Sequence, residues 1–144
     1  MKRQASAILN EISEKHPNIC LSIEGRICEK FCLSNIDICT IFSNLFDNAF
    51  EAAEKSEGKA VYIEFKYVGS SFLCTIKNIV AHKMEIINNK ICTEKEDKIN
   101  HGHGIDNVAS CTKRNSGSIT LSCTEEFFYA DLMFQIYEND VEAF

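Results

Sequence analysis

Proline is nearly absent from this 144-residue chain, with one residue, and glycine is scarce, with six. Collagen-like repeats, Gly/Ser linkers and Pro-rich disorder are thereby excluded, and 45% hydrophobic residues supply the material for a folded core. No apolar run approaches the roughly 18 residues a membrane-spanning helix needs. The opening Met1-Lys2-Arg3-Gln4-Ala5-Ser6 leads into an amphipathic stretch instead of a signal-peptide core, so a soluble, cytoplasmic domain without membrane contact is expected. Basic residues are in deficit: 15 Lys and Arg against 21 Asp and Glu give a net charge of −6. A broad nucleic-acid footprint is therefore not expected, and any anionic ligand must be held locally, for instance by backbone amides. Repeats and low-complexity segments are also missing, and 1–144 reads as one domain, a length at which folding buries roughly 68–70% of the surface of the extended chain.

What the chain has in excess is cysteine, eight in all. Cys20, Cys28, Cys39, Cys74, Cys111 and Cys123 stand at apolar phases among Ile, Leu and Phe, where a reduced thiol acts as a small hydrophobe. The nearest metal-like set, Cys28-x-x-x-Cys32 with His101-x-His103, lacks a Cys-x-x-Cys knuckle and is not read as a zinc site.

Ala7, Ile8 and Ile12 at helical spacing predict a helix from about Arg3 to Lys15, closed by Pro17, and short strands follow at Ile19 to Ile23 and Ile27 to Leu33. A longer helix begins at a Ser34 or Asn35 cap, with Asp37 in its first turn and Ile38, Ile41, Phe42, Leu45, Ala49 and Ala52 on one face; Gly58 is expected to end it. Alternation over Ala60 to Tyr67, a Gly69-Ser70-Ser71 turn and Phe72 to Lys77 make a hairpin. Residues Ala81 to Asn100 are charged and weakly periodic apart from Met84-Ile86-Ile87, and read as a mobile loop of the length used for lids. His101-Gly102-His103-Gly104 then opens a helix from about Ile105 to Arg114, with Gly117 past its end. Strands Ser118 to Cys123 and Phe127 to Tyr137 form a closing hairpin, and 138–144 is a tail. The economical packing is an α+β two-layer sandwich, with about three helices on one face of a mixed, mostly antiparallel sheet.

Three features carry chemistry. Asn44 and Asn48 are four apart, so both amides project from one helix stripe, although an Asn inside a helix costs several tenths of a kcal/mol relative to Ala. Taken alone, the pair reads more simply as a solvated face. Glycines two apart at a helix start, Gly102 and Gly104, allow close approach to free first-turn N–H groups, the usual makings of a phosphate site. A plain loop-to-helix turn explains them equally well. Asn78 has an amide able to accept from and donate to an adenine edge; by itself it is more simply a strand-end turn residue.

Their order along the chain resembles the GHKL ATP-binding fold of gyrase, heat-shock chaperones, sensor histidine kinases and mismatch-repair proteins. Asn44 to Ala52 resembles the N box, and Gly102 to Val108 the second glycine box. The wording from Ile41 to Ala52, followed by Lys95, Lys98 and His101-Gly102-His103-Gly104-Ile105-Asp106-Asn107-Val108, is similar to the catalytic domains of accessory-gene-regulator-type quorum-sensing receptor kinases. The resemblance covers Ile8 to Tyr137 and implies the histidine-kinase-like ATPase fold. It implies ATP and Mg²⁺ as cofactors, with Asn44, Asn48, Glu51, Ala52, Asn78, Lys95, Lys98, His101, Gly102, His103, Gly104 and Ile105 around the nucleotide, and 82–100 as the lid.

Asn44 and Asn48 are the implied catalytic pair. Asn48 ligates Mg²⁺, while Asn44 stands where hydrolysing members carry a glutamate base. Asn cannot usefully accept a proton, which favours transfer of the γ-phosphoryl over water activation. Asn78 replaces the usual aspartate of the first glycine box, and the glycines that normally follow are replaced by Ile79-Val80-Ala81-His82. None of His16, His82, His101 and His103 looks like a phosphoacceptor, so the substrate histidine is expected on a dimerisation helix or domain outside this chain. The implied protein is a homodimeric, membrane-anchored sensor kinase with a response regulator downstream. The rivals are a degenerate nucleotide-binding module and an anti-sigma-factor-type serine kinase.

Overall fold

Helix α1 (Lys2–Lys15) forms where expected, but of Ala7, Ile8 and Ile12 only Ile12 is in the core: Ala5 and Leu9 are buried with it, Ile8 is half-buried and Ala7 is exposed. The computed structural model describes the backbone of 2–27, 33–92 and 95–135, and the side chains of 3–27, 33–92 and 104–135. Strand β1 (Cys20–Glu24) comes next. The strand expected over Ile27 to Leu33 falls on 28–32, outside the described residues, and Ile27 and Leu33 themselves are irregular.

The long helix starts at Ser34, whose extended backbone and Oγ, accepting from the Asp37 N–H at 3.1 Å, make a regular N-cap. It is continuous but not uniform. The α-turn α2 (Asn35–Ile38) passes into a π-helical segment, Cys39–Ser43, and then into α3 (Asn44–Glu54). Because the π segment shifts the phase, Phe46, Phe50 and Ala53 join Leu45 and Ala49 in the core, and Ala52, expected on the apolar stripe, is only half-buried. The helix stops at Glu54, earlier than Gly58, and the left-handed residue before the next strand is Lys59 (φ 44°).

Strands β2 (Ala60–Val68) and β3 (Ser71–Ile79) form the expected hairpin, with Gly69 at φ 58° in its turn. Strand β3 runs two residues past its predicted end. The final hairpin is β6 (Gly117–Cys123) with β7 (Phe127–Gln135). The main sheet has the order β1-β2-β3-β7-β6, with β1 parallel to β2 and every other pair antiparallel. Alternate residues of β2, β3, β6 and β7 point to the helices, and the core closes between that face and α1, α3 and α4. The mixed two-layer α/β sandwich read from the sequence is the fold observed.

The segment expected as loop carries structure. Strands β4 (Ile86–Ile87) and β5 (Lys90–Ile91) make a small hairpin about Asn88 and Asn89, both left-handed (φ 52° and 60°). Helix α4 (Lys95–Arg114) begins ten residues before the predicted Ile105. Lys95-Glu96-Asp97-Lys98 contains strong helix formers, and the two glycines that follow are tolerated inside a helix at about 1 kcal/mol each.

The thiols divide between core and surface. Cys74 and Cys111 are buried, Cys123 is half-buried, and all described cysteines are free. Burial pushes both buried thiols up, Cys111 to about 11, so they stay neutral and unreactive near pH 7. Cys20 and Cys39, expected in the core, are exposed: Cys20 lies on the edge strand's outer side and Cys39 on the outside of the π segment. Cys28 lies outside the described residues, as does Cys32.

Two carboxylates tie helices together. Asp37 accepts from Asn115 Nδ2 at 3.0 Å, and this bond holds its carboxyl below the ordinary 3.8, with Arg114 Nη2 at 3.6 Å contributing. Glu54 is lowered from 4.5, first by His16 Nδ1 at 3.2 Å and then by Lys59. A carboxyl whose pKa falls on folding adds stability above its unfolded value and loses it as pH drops through the folded one. The melting temperature is therefore expected to decline on acidification below about pH 4.5. Asn115→Ala should make that acid limb shallower; an identical limb by calorimetry would remove Asp37 from this account.

Candidate functional site

Asn78 is the only strongly buried amide in β3, 1% exposed, and it sits within the strand, where the sequence places it just beyond. Alternation explains the position. Asn78 follows Phe72, Cys74 and Ile76 on the core side, opposite Val61 on β2 and Phe128 on β7. Its neighbour Lys77 points to the other face, where Nζ lies 4.4 Å from the Phe127 ring centre and 4.7 Å from that of Tyr62. Asn78 Nδ2 donates to the Ile79 carbonyl at 3.1 Å, which leaves Oδ1 as the acceptor.

Asn78 opens onto a cavity of about 220 Å³ between α3, the sheet and the β4–β5 hairpin. Asn48, Glu51 and Ala52 of α3 line it, together with Ile105 of α4. Five predicted positions thus meet in one place although they span 58 residues of sequence, from Asn48 to Ile105. The cavity also uses Lys55, Val80, Ala81 and Phe128, none of which is predicted as a site residue, and His82, Met84 and Ile91, which are expected only as part of the 82–100 lid. Phe128 is legible in principle, as an inward member of β7's alternation, and Met84 as part of the apolar cluster in the polar segment. The lining is mostly apolar with a few convergent polar groups, the usual character of a small-molecule site.

Asn44 does not line the cavity. Its backbone N–H bonds to the Ile41 carbonyl, and its side-chain Nδ2 donates to the Thr40 carbonyl at 2.6 Å. The carbonyl that a regular α-helix would pair with the Asn44 N–H is thus met by the Asn44 side chain. Its Oδ1 faces Gly104, where an added Cβ would come within 3.0 Å of it. Gly104 is thus accounted for by the close approach of α4 to Asn44. It is the tenth residue of α4 and Gly102 the eighth, so the glycine pair lies inside the helix and not at its first turn. The side chains of Lys95, Lys98, His101 and His103 lie outside the described residues.

Two amides, Asn48 and Asn78, in a mostly apolar cavity suit a ligand that brings its own charge. Among the described residues, no cluster of three His, Cys, Asp or Glu could hold a metal ion unaided. Asn48, half-buried at the cavity, fits Mg²⁺ only as one oxygen in a shell completed by water and phosphate, which is how Mg²⁺ is commonly held.

The sequence matches the GHKL domain family over residues 33–135, and the chain belongs to that family. No curated protein sequence matches it. Among solved structures, the catalytic domain of histidine kinase ThkA, in a nucleotide-free form, is similar over 97% of this chain and 95% of its own, with a TM-score of 0.70 at 14% identity. The mycobacterial sensor histidine kinase MprB is similar over 92% of this chain and 93% of its own, with a TM-score of 0.69 at 9% identity. The Acinetobacter baumannii histidine kinase AdeS is similar over 92% of this chain, with a TM-score of 0.62 at 14% identity, and this chain spans 65% of its length. At these identities the likeness is one of fold. Among the described residues, no helix is long and apolar enough to cross a membrane.

Proposed function

We propose that this chain is the ATP-binding catalytic domain of a two-component sensor histidine kinase, of the accessory-gene-regulator type. Its activity is transfer of the γ-phosphoryl of ATP to a histidine on a dimerisation helix or domain outside the sequence. The observation that carries this reading is the meeting of Asn48 and Asn78 in one cavity, the first on the helix stripe and the second on the sheet. Asn78 Oδ1 accepts from the adenine amino group. Phe128, Ile105, Met84 and Ile91 provide apolar surface for the ring. Asn48 would hold Mg²⁺ through its side-chain oxygen, and the chemistry the ion would supply there is charge neutralisation at the phosphates.

Asn44 at the base position has no proton-accepting capacity, which favours a nucleophile better than water. In the transfer, the bond from the γ-phosphorus to the β–γ bridging oxygen breaks as one to the histidine nitrogen forms, a reaction governed by positioning and charge stabilisation. Lys95, Lys98, His101, Gly102, His103 and Gly104 form the phosphate end of the site, with 82–100 as the lid. Use of the Gly102 and Gly104 amides requires the preceding turns of α4 to unwind, which two glycines inside one helix facilitate. The full-length protein is then a homodimeric, membrane-anchored quorum sensor acting on a response regulator.

The test is to incubate the domain with its own dimerisation helices and γ-labelled ATP. Acid-labile, base-stable label on the helices is expected. Label on serine of a protein partner would favour an anti-sigma-type kinase, and nucleotide binding without label would indicate a degenerate module; either would overturn the histidine kinase reading.

A further inference from the structure

The β4–β5 hairpin is too short to be stable alone, since two-residue strands make few ladder bonds. Met84, Ile86 and Ile91 pack against the core, and the Asn89 side chain ties the turn to the main sheet. Asn89 Oδ1 accepts from the Leu121 N–H at 2.6 Å, and Asn89 Nδ2 donates to the Ile119 carbonyl at 2.8 Å. Both partners belong to β6, the outer strand of the main sheet, whose outward backbone groups have no neighbouring strand among the described residues. A carbonyl at one residue and an N–H two residues on are the pair that one residue of an added parallel strand would engage. The Asn89 amide supplies that single residue's worth of pairing and covers the edge. At the other end of the hairpin, the Met84 N–H lies 3.3 Å from Cys123 Sγ, also on β6.

The anchored hairpin forms a wall of the cavity through Met84 and Ile91. We propose that Asn89 is a positioning residue for nucleotide binding: it touches no ligand, and it sets the base-binding wall by pinning the hairpin to the edge of the sheet. The inference rests on reading the cavity as the adenine site. Its distinguishing consequence is that the base is affected and the phosphates are not.

Asn89 also occupies a left-handed turn position, so Asn89→Gly removes both bonds while keeping the backbone conformation accessible. Asn88→Gly in the same turn, where the side chain makes no such bond, is the control. Titration calorimetry with Mg-ATP and with Mg-tripolyphosphate provides the readout. Asn89→Gly is expected to bind Mg-ATP roughly tenfold more weakly, the worth of one to two hydrogen bonds, with tripolyphosphate affinity unchanged and Asn88→Gly like wild type. Asn89→Asp, which keeps the acceptor and loses the donor, should fall between, and it carries the test if Asn89→Gly fails to fold.

Unchanged ATP affinity in folded Asn89→Gly would overturn the inference, as would an equal loss for tripolyphosphate. Wild-type chain that binds no Mg-ATP would instead overturn the reading of the cavity, and this inference with it.

Discussion

Asn48→Ala is expected to weaken Mg-ATP binding roughly 10- to 100-fold and to leave the protein as stable as wild type. The side chain is half-buried on the cavity side of α3 and is not part of the core. A polar contact to a charged ligand is worth about 1.5–3 kcal/mol, which converts to that range of affinity. Folding is affected in the other direction, because Ala is a better helix former than Asn by several tenths of a kcal/mol. The two signs make the experiment specific: calorimetry should show lost affinity in a variant whose melting temperature is equal or slightly higher. Undiminished Mg-ATP binding in folded Asn48→Ala would remove Asn48 as the metal-holding residue.

Phe50→Ala tests the opposite side of the same helix. Phe50 is fully buried, two residues from Asn48, and its ring centre lies 5.7 Å from that of His16, which joins α3 to the end of α1. Truncating a buried phenylalanine costs about 3–5 kcal/mol. A domain of this size has about 5–15 kcal/mol in total, so a substantial fraction of the stability should go. Urea unfolding should show a lower midpoint with an unchanged slope. A loss below about 1 kcal/mol would mean that the α1–α3 contact is easily repacked. Together the two variants separate the helix into a face that binds and a face that folds.

The sheet is legible in the sequence because alternation is a strong signal. Val61 and Ile63, then Phe72, Cys74 and Ile76, declare their shared face by spacing alone. Asn78 continues that series, and parity by itself puts it inside β3; its polar character points instead to a turn. The hairpin about Asn88 and Asn89 is not legible, since its strands are two residues each and its turn is tied to β6, about 30 residues later in the chain. The start of α4 is obscured for a different reason: Gly102 and Gly104 mark a boundary by propensity, but the residues before them favour a helix. The cavity-facing side of α3 is not readable from spacing alone, because Asn44 and Asn48 share a helical spacing but not a setting. Asn48 meets the cavity, and Asn44 turns to its own backbone and to Gly104.

The π-helical segment at Cys39–Ser43 also governs how the length of this helix can vary. Each α-helical residue turns the chain by about 100°, so removing one residue to restore a regular helix would swing one end by about that angle relative to the other. Either Asp37 would leave Asn115 or Asn48 would leave the cavity, because Asp37 is bonded to Asn115 and Asn48 reaches the cavity only at its present phase. Substitutions between Ile38 and Asn44 are a matter of side-chain fit, whereas insertions and deletions there are a matter of phase. Relatives that keep both anchorages must therefore keep the number of residues between them, even where the residues themselves differ.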